Sequence, residues 1–346
     1  MKSSDYKRLP ELKQCELINT RLKSLKKENQ SIFFKSHILN NIIAGNVKLP
    51  IYSFSIGSMS IDSPSITFIG GIHGLERIGC QLILSFLNGL IQKCYWNSVL
   101  LDSLRKITIN FIPMANPAGI YFKRRGNIHN VDLMRNAPID SKEKTAWLVG
   151  GHRISSYLPW YRGKKNVIEI ENETIIDYVK KYLFPRPFNL ILDCHSGFGL
   201  HDRIWFPYAK SKKYPISDIG KLFYLRKMFF LSHPHHNYIF EPQSQHYLCH
   251  GDLWDYLYDL SQSSNRIILP LTLEMGSWAW IKKNPLQIFN SLGFFHPIKN
   301  HRIKKVINNH NILFNFLIDI VMNYSNWYEN SHLPLYRKKA MTKWYK

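Results

Sequence analysis

Runs of hydrophobic residues along the chain predict short strands that alternate with helices. Apolar runs of strand length lie at 51–57, 65–69, 107–113, 188–195 and 267–274. Apolar residues at helical spacing lie around and between them, at 5–30, 80–90, 171–183, 217–231, 252–262 and 302–322. Strands that alternate with helices are typical of a single α/β domain with a mixed, mostly parallel sheet flanked by helices. We therefore expect that fold class.

Side chains that can bind a metal follow one of the predicted strands. The run Ser65–Ile69 ends in two glycines, and His73 and Glu76 come shortly afterwards, before an apolar helical pattern. Open α/β sheets place their sites at the carboxyl ends of strands. An imidazole and a carboxylate on one short turn can supply the first two ligands of a zinc ion.

Two further predicted strands also end in ionisable side chains, His195 and Glu274. A catalytic zinc uses three protein ligands and leaves one position for water, so His73, Glu76 and His195 form a suitable set. The activated water needs a base to accept its proton, and Glu274 is the candidate. The sequence therefore predicts a hydrolytic zinc site at one edge of the sheet.

Residues 119–170 show little periodicity. So long an irregular stretch inside a compact domain is usually functional. It contains Arg124, Arg125 and Arg135, and each could stabilise negative charge that develops on a substrate oxygen.

Composition adds a strong basic balance to this picture. The 346 residues include 46 Lys and Arg against 24 Asp and Glu, a formal charge of +22. Because the basic residues are scattered and no recognised nucleic-acid motif accompanies them, nucleic acid is not an expected partner.

Five cysteines without Cys-x-x-Cys spacing favour a reducing compartment. With neither a signal-peptide pattern at the start nor an apolar run long enough for a membrane span, we expect a cytoplasmic protein.

Five short blocks in this order resemble the zinc carboxypeptidase family of the carboxypeptidase A type, over roughly residues 48–325. Within the family, the chain is most similar to bacterial members of uncertain substrate. The matching blocks are Gly70-Gly-Ile-His73-Gly-Leu-Glu76, Asn116-Pro-Ala-Gly119, Val131-Asp132-Leu-Met-Arg135-Asn136, Asp193-Cys-His195-Ser196 and Leu271-Thr-Leu-Glu274-Met-Gly276.

The resemblance implies one zinc ion per chain, bound by His73, Glu76 and His195. It also implies that Glu274 is the general base and acid, and that Arg125 polarises the scissile carbonyl group.

Further roles implied by the resemblance concern the orientation of His73 and the binding of the substrate. Asp132 would accept a hydrogen bond from His73, Arg135 would bind a substrate carboxylate, and Tyr247 would be a mobile active-site tyrosine. Met134 stands where the family usually has Asn. We therefore expect a substrate whose carboxylate is held by Arg135 alone, or whose apolar group contacts Met134.

The predicted function is that of a zinc metallocarboxypeptidase, which cleaves an amide bond next to a carboxylate-bearing residue in peptides or murein fragments. One alternative is an N-acylamino-acid amidohydrolase resembling aspartoacylase or succinylglutamate desuccinylase, which share the ligand pattern. Another is a non-catalytic basic binding protein. We divide the chain into an N-terminal helical extension (1–45), a catalytic domain (46–325) and a basic, aromatic tail (326–346).

Overall fold

An eight-stranded mixed sheet forms the centre of the protein, in a computed structural model that describes residues 8–28 and 33–345. The strand order is β1-β2-β4-β3-β5-β8-β6-β7. The strands are β1 (Phe33–Ala44), β2 (Val47–Gly57), β3 (Ser65–Gly70), β4 (Thr108–Ile112), β5 (Asn189–Ser196), β6 (Arg203–Phe206), β7 (Ile239–Pro242) and β8 (Ile268–Met275). The central strands β4, β3, β5 and β8 run parallel, whereas β1–β2, β2–β4 and β6–β8 are antiparallel pairs. The expected α/β fold class is confirmed.

Helices cover both faces of this sheet. They are α1 (Pro10–Glu28), α2 (Arg77–Lys93), α3 (Ser98–Leu104), α4 (Pro117–Phe122), α5 (Ile170–Tyr178), α6 (Ile219–Ser232), α7 (Leu253–Ser263), α8 (Trp278–Lys283), α9 (Asn300–Met322), α10 (Tyr324–Trp327) and α11 (Leu333–Trp344). Short 3₁₀ turns lie at Leu133–Arg135, Gln243–Gln245 and Pro285–Phe289, and α5 continues as a π turn over Val179–Leu183. Among the described residues, no helix has both the length and the apolar character needed to cross a membrane.

Burial on both faces explains why the central strands consist largely of apolar residues. Every residue of β3, β5 and β8 is buried, as expected for parallel strands covered by helices. The ring of Phe68 in β3 stacks on Phe314 of α9 with 4.2 Å between centroids. Because β3, β5 and β8 are parallel neighbours, their carboxyl ends lie together at one edge of the sheet.

The N-terminal segment differs in part from the predicted helical extension. Helix α1 occupies most of the predicted 5–30 helix, while residues 1–7 and 29–32 lie outside the described part. Residues 33–44 are not helical: they form β1, the edge strand that pairs with β2. Most positions of β1 are half-buried, so its sequence lacks a clear apolar alternation. The boundary at residue 45 therefore does not separate a helical segment from the sheet.

Both ends of the described chain pack onto the domain. The Arg77 guanidinium of α2 donates two hydrogen bonds to the Glu11 carboxylate of α1, at 3.0 and 2.5 Å. Within the predicted tail, α11 packs on α6, and the indole of Trp344 donates a hydrogen bond to the main chain of Phe240. The tail is thus packed along the residues that the structure describes.

Candidate active site

Three potential metal ligands meet at the carboxyl edge of the sheet. His73 and Glu76 lie on the turn between β3 and α2, and His195 lies near the end of β5. One Glu76 oxygen is 2.8 Å from His73 Nδ1, and the other is 2.9 Å from His195 Nδ1. The two Nδ1 atoms are 3.2 Å apart. All three side chains are buried, and their ligand atoms lie within 4.8 Å of one another.

Glycine gives the metal-ligand turn its tight path. A Cβ atom on Gly74 would lie 2.0 Å from the main-chain carbon of Gly119, so only glycine fits without displacing the backbone. Gly71 has φ +67°, a conformation that glycine adopts without strain. The turn therefore brings His73 towards α4 and the residues that follow it, where the main-chain N–H of Gly74 donates to the carbonyl oxygen of Arg125 at 3.2 Å.

Each histidine is oriented by a carboxylate on its outer nitrogen. His73 Nε2 donates to Asp132 at 3.0 Å, and His195 Nε2 donates to Asp193 at 2.6 Å. The indole of Trp254 donates to the same Asp193 oxygen at 2.8 Å. This arrangement leaves each Nδ1 lone pair directed towards the other ligands, as in carboxylate–histidine–zinc sites.

Asp193 was given no role by the sequence reasoning. Its signal is nevertheless present, because Asp193 stands two residues before His195 and side chains at i and i+2 of a strand share one face.

The charges around the two histidines favour a bound cation. Burial would lower the pKa of His195, but Asp193 and Glu76 outweigh it and hold that pKa well above its ordinary value. Burial would raise the pKa of Asp132, but Arg125 and His73 hold it well below its usual range. A set of two histidines and one glutamate is a common ligand set of catalytic zinc. These residues fit a zinc ion.

Glu274 stands beside the ligands rather than among them. It is paired in register with His195 on the adjacent strand and is 7% exposed. Its Oε1 accepts a hydrogen bond from the main-chain N–H of Phe198 at 3.0 Å. Burial and the neighbouring Glu76 raise the pKa of Glu274 to about 8. A carboxylate with such a pKa can exchange a proton near neutral pH.

The structure distinguishes the two adjacent loop arginines. Arg125 reaches the site: its Nε donates to Asp132 at 2.9 Å and its Nη1 donates to Glu76 at 3.3 Å. Arg124 instead donates to Asn130 and does not line the cavity.

Arg135 is a buried cation whose hydrogen bonds go to the main chain. It is 2% exposed, and it donates to the carbonyl oxygens of Met134 and Val149 at 3.1 and 3.3 Å. Within residues 8–28 and 33–345, it forms no ion pair with a carboxylate. Its guanidinium lies over the ring of Tyr247, 5.4 Å from the centroid.

A cavity of about 510 Å³ joins these groups. Eight of the nine predicted site residues line it, and Asp132 lies directly behind His73. Sequence reasoning gave no site role to the aromatic and apolar walls or to three polar members: Trp160, Phe198, Trp205, Trp278, Phe295, Leu75, Val149, Pro159, Ser196, Gln243 and Thr272. These residues come from separate loops and strands, so no local pattern groups them.

The architecture is that of a metal-dependent hydrolase. An α/β fold carries a buried His-Glu-His set and a neighbouring glutamate at the carboxyl edge of its mixed sheet. The sequence profile of the zinc carboxypeptidases, peptidase family M14, matches residues 47–287, and the chain belongs to this family of metallopeptidases. The resemblance drawn from the short blocks is confirmed.

The matches to curated relatives cover a larger share of this chain than of the relatives' own length. The chain is 22% identical over 228 residues to carboxypeptidase SOL1 of Arabidopsis thaliana, covering 64% of this chain and 42% of that protein. It is 25% identical over 176 residues to the human carboxypeptidase N catalytic chain, covering 46% and 36%. The chain thus spans less than half the length of these curated relatives.

Solved structures share the fold. Thrombin-activatable fibrinolysis inhibitor superimposes with a TM-score of 0.64 at 18% identity, over 87% of this chain and 72% of that chain. Carboxypeptidase A from Helicoverpa armigera gives 0.63 at 17% identity, over 87% and 71%. At these identities the similarity establishes the fold alone.

Proposed function

We propose that this protein is a zinc-dependent carboxypeptidase that hydrolyses the amide bond preceding a residue with a free carboxylate, in peptides or murein fragments. The observation that carries the proposal is Arg135, a buried guanidinium that forms no ion pair within the described residues. A buried charge is costly unless it is paired. A substrate carboxylate in the cavity would supply a direct ion-pair partner and form a bidentate pair with the guanidinium.

His73, Glu76 and His195 would hold the zinc ion. The ion would supply Lewis acidity to the attacking water and the scissile carbonyl group. Glu274 would accept a proton from water at a carboxylate oxygen and then pass it to the nitrogen of the leaving amine. Glu274 and His195 are register partners on adjacent strands, which lie roughly 5 Å apart, so the base stands beside the ligands.

The remaining residues would position the substrate. Arg125, on the cavity wall, would stabilise negative charge on the carbonyl oxygen. Tyr247 lies against Arg135 and would cover the bound carboxylate. Met134 lines the same part of the cavity without a side-chain donor, which leaves Arg135 as the main carboxylate-binding group.

The test compares matched substrates with the zinc-loaded full chain. A blocked dipeptide with a free C-terminus should be cleaved, and the same dipeptide with an amidated C-terminus should react at least tenfold more slowly. Arg135→Gln should raise KM for the free acid. Arg124→Gln, a change in the adjacent arginine outside the cavity, should leave KM unchanged.

Two other results would overturn the proposal. Cleavage of small N-acyl amino acids with no cleavage of any peptide would identify an amidohydrolase instead. A chain that binds no zinc at neutral pH, or whose zinc survives His73→Ala and His195→Ala, would remove the basis of the mechanism.

A further inference from the structure

The segment 276–305 carries only one sign of charge. From Gly276 to Ile318 the sequence contains no Asp or Glu. Within the same stretch lie six basic residues: Lys282, Lys283, Lys299, Arg302, Lys304 and Lys305. All five lysines are exposed. We call residues 276–305 the basic segment.

Residues 286–293 of the basic segment form a loop in which a polar side chain is buried and large apolar side chains are exposed. Leu286 and Phe289 are 74% and 86% exposed, while Gln287 between them is 4% exposed. The Gln287 side chain donates to the carbonyl oxygen of Gly293 at 2.5 Å. A Cβ atom on Gly293 would lie 1.7 Å from the carbonyl oxygen of Gln287, so the loop closes tightly on itself. The loop therefore buries its polar side chain and holds large apolar side chains in solvent.

Side chains on both sides of this loop line the candidate active site. Trp278 before it and Phe295 after it both line the 510 Å³ cavity. On another wall, the loop that contributes Val149 and Trp160 to the cavity also exposes large apolar side chains, with Trp147 79% and Tyr157 92% exposed. Exposed apolar side chains grouped around a site mark an interaction surface.

A second cavity opens on the basic segment. It has a volume of about 610 Å³, and its lining includes Lys283, His301, Arg302 and Lys305. The single acidic residue in its lining, Asp202, accepts a hydrogen bond from the main-chain N–H of Gly276. Positive side chains thus surround a concave surface next to the exposed apolar loop.

We infer that the basic segment docks this face of the protein onto the surface of an anionic lipid bilayer, with Leu286 and Phe289 inserted among the headgroups and the lysines against lipid phosphates. Peripheral binding of this kind combines exposed Phe, Leu or Trp side chains with neighbouring Lys or Arg. A second copy of the chain would bring like charges together and is disfavoured. Nucleic acid is less favoured, because no recognised nucleic-acid-binding motif accompanies the charge.

The test is co-sedimentation of the full chain with vesicles of phosphatidylcholine, with or without one quarter phosphatidylglycerol, at low ionic strength. Wild type should bind the anionic vesicles, release them in 1 M salt and bind the neutral vesicles weakly. Leu286→Ser with Phe289→Ser should weaken partitioning on the order of a hundredfold, given the apolar area removed. Lys282→Gln with Lys283→Gln should weaken it roughly thirtyfold.

Matched controls lie at the far end of α2. Trp96 and Val99 are 72% and 74% exposed, but they follow a helix that begins at the active site and runs about 25 Å away. Trp96→Ser with Val99→Ser, and Lys93→Gln with Lys106→Gln, should leave vesicle binding unchanged. Leu286 and Phe289 do not line the 510 Å³ cavity. The variant with Leu286→Ser and Phe289→Ser should therefore hydrolyse a small soluble peptide at the wild-type rate.

Three results would overturn the inference. Wild type could fail to bind anionic vesicles. The control changes could weaken binding as much as the changes in the basic segment, which would show a diffuse charge effect. Single-stranded RNA could bind and displace the vesicles, with Leu286→Ser and Phe289→Ser having no effect on either ligand, which would identify a polyanion-binding surface.

Discussion

Replacing Asp193 with asparagine should weaken zinc binding by roughly 10- to 100-fold while the fold remains intact. Both hydrogen bonds to this carboxylate end on one oxygen, Oδ2, from His195 Nε2 and Trp254 Nε1. An asparagine whose carbonyl oxygen takes the Oδ2 position keeps both bonds. What it loses is the negative charge behind His195.

The magnitude follows from that lost charge. A hydrogen bond to a charged group contributes roughly 1.5–3 kcal/mol, against about 0.5–1.5 kcal/mol for a neutral one. The His195 imidazole also becomes a weaker ligand when its partner is neutral. A combined loss of about 1.4–2.8 kcal/mol corresponds to the stated range in affinity.

Folding carries a separate cost. Among the described residues, Asp193 Oδ1 has no hydrogen-bond partner, so the asparagine amide would be buried there without an acceptor. This should reduce the free energy of unfolding by roughly 1–3 kcal/mol.

Competition with a chromophoric chelator measures the zinc dissociation constant, and thermal melts of the zinc-free protein measure the folding cost separately. Asp255→Asn is the matched control. Asp255 is also fully buried, but its carboxylate accepts from the main-chain N–H groups of Ala209 and Lys210 and lies outside the cavity lining. If Asp193→Asn binds zinc as tightly as wild type, the carboxylate behind His195 does not tune the site and the reasoning is wrong.

Three further predictions concern single side chains. Glu274→Gln should retain zinc while kcat falls roughly 10²–10⁴-fold, by metal analysis and peptide hydrolysis; loss of the metal would show instead that Glu274 is a ligand. Met134→Asn should raise kcat/KM for C-terminal dipeptides about tenfold or more by adding a donor beside Arg135; no gain would mean that another group already supplies that bond. Burial, with a contribution from Arg77, lowers the pKa of His296 from 6.5 to about 4. The unfolded chain therefore binds this proton more readily, and stability is lost as the pH falls from 6.5 towards 4, by about 3 kcal/mol in total. Melting temperatures across this range should fall less steeply in His296→Asn, and equal slopes would contradict the assignment.

Long or fully buried elements could be predicted from the sequence. Strand β3 ends within one residue of its prediction, and α9 begins within two. The strands β6 and β7 were missed because each has only four residues, too few to show a period. The sequence pattern predicts no helix at Asn116–Gly119, but Asn116 is the N-cap of α4: its side chain accepts from the main-chain N–H of Gly119, and Pro117 occupies the first helical position.

The polar members of the site could be predicted because they lie at or just after the ends of fully buried strands. His73, His195 and Glu274 each follow or end a buried strand, and parallel strands bring such positions together whatever the loops do. The aromatic walls depend on how distant loops pack. One cavity is lined by Trp160, Trp205 and Trp278, which are far apart in the sequence.

The net charge of the chain takes on a different meaning once burial is known. Ten acidic residues are buried among the described residues, out of 24 in the chain: Glu11, Glu76, Asp132, Glu169, Glu171, Asp193, Asp218, Asp252, Asp255 and Glu274. Of the 46 basic residues, only four are buried in the same part of the chain: Arg77, Arg135, Arg162 and Lys210.

Acidic residues are therefore withdrawn from the surface to orient histidines, cap helices and pair with buried cations. Asp132 orients His73, Asp252 caps α7 and Glu11 pairs with Arg77. The exterior is consequently more basic than the composition alone indicates. The lysines are scattered and indicated no particular partner from the sequence alone. On the folded protein they form a surface that attracts anions, and in the basic segment they lie beside exposed apolar side chains.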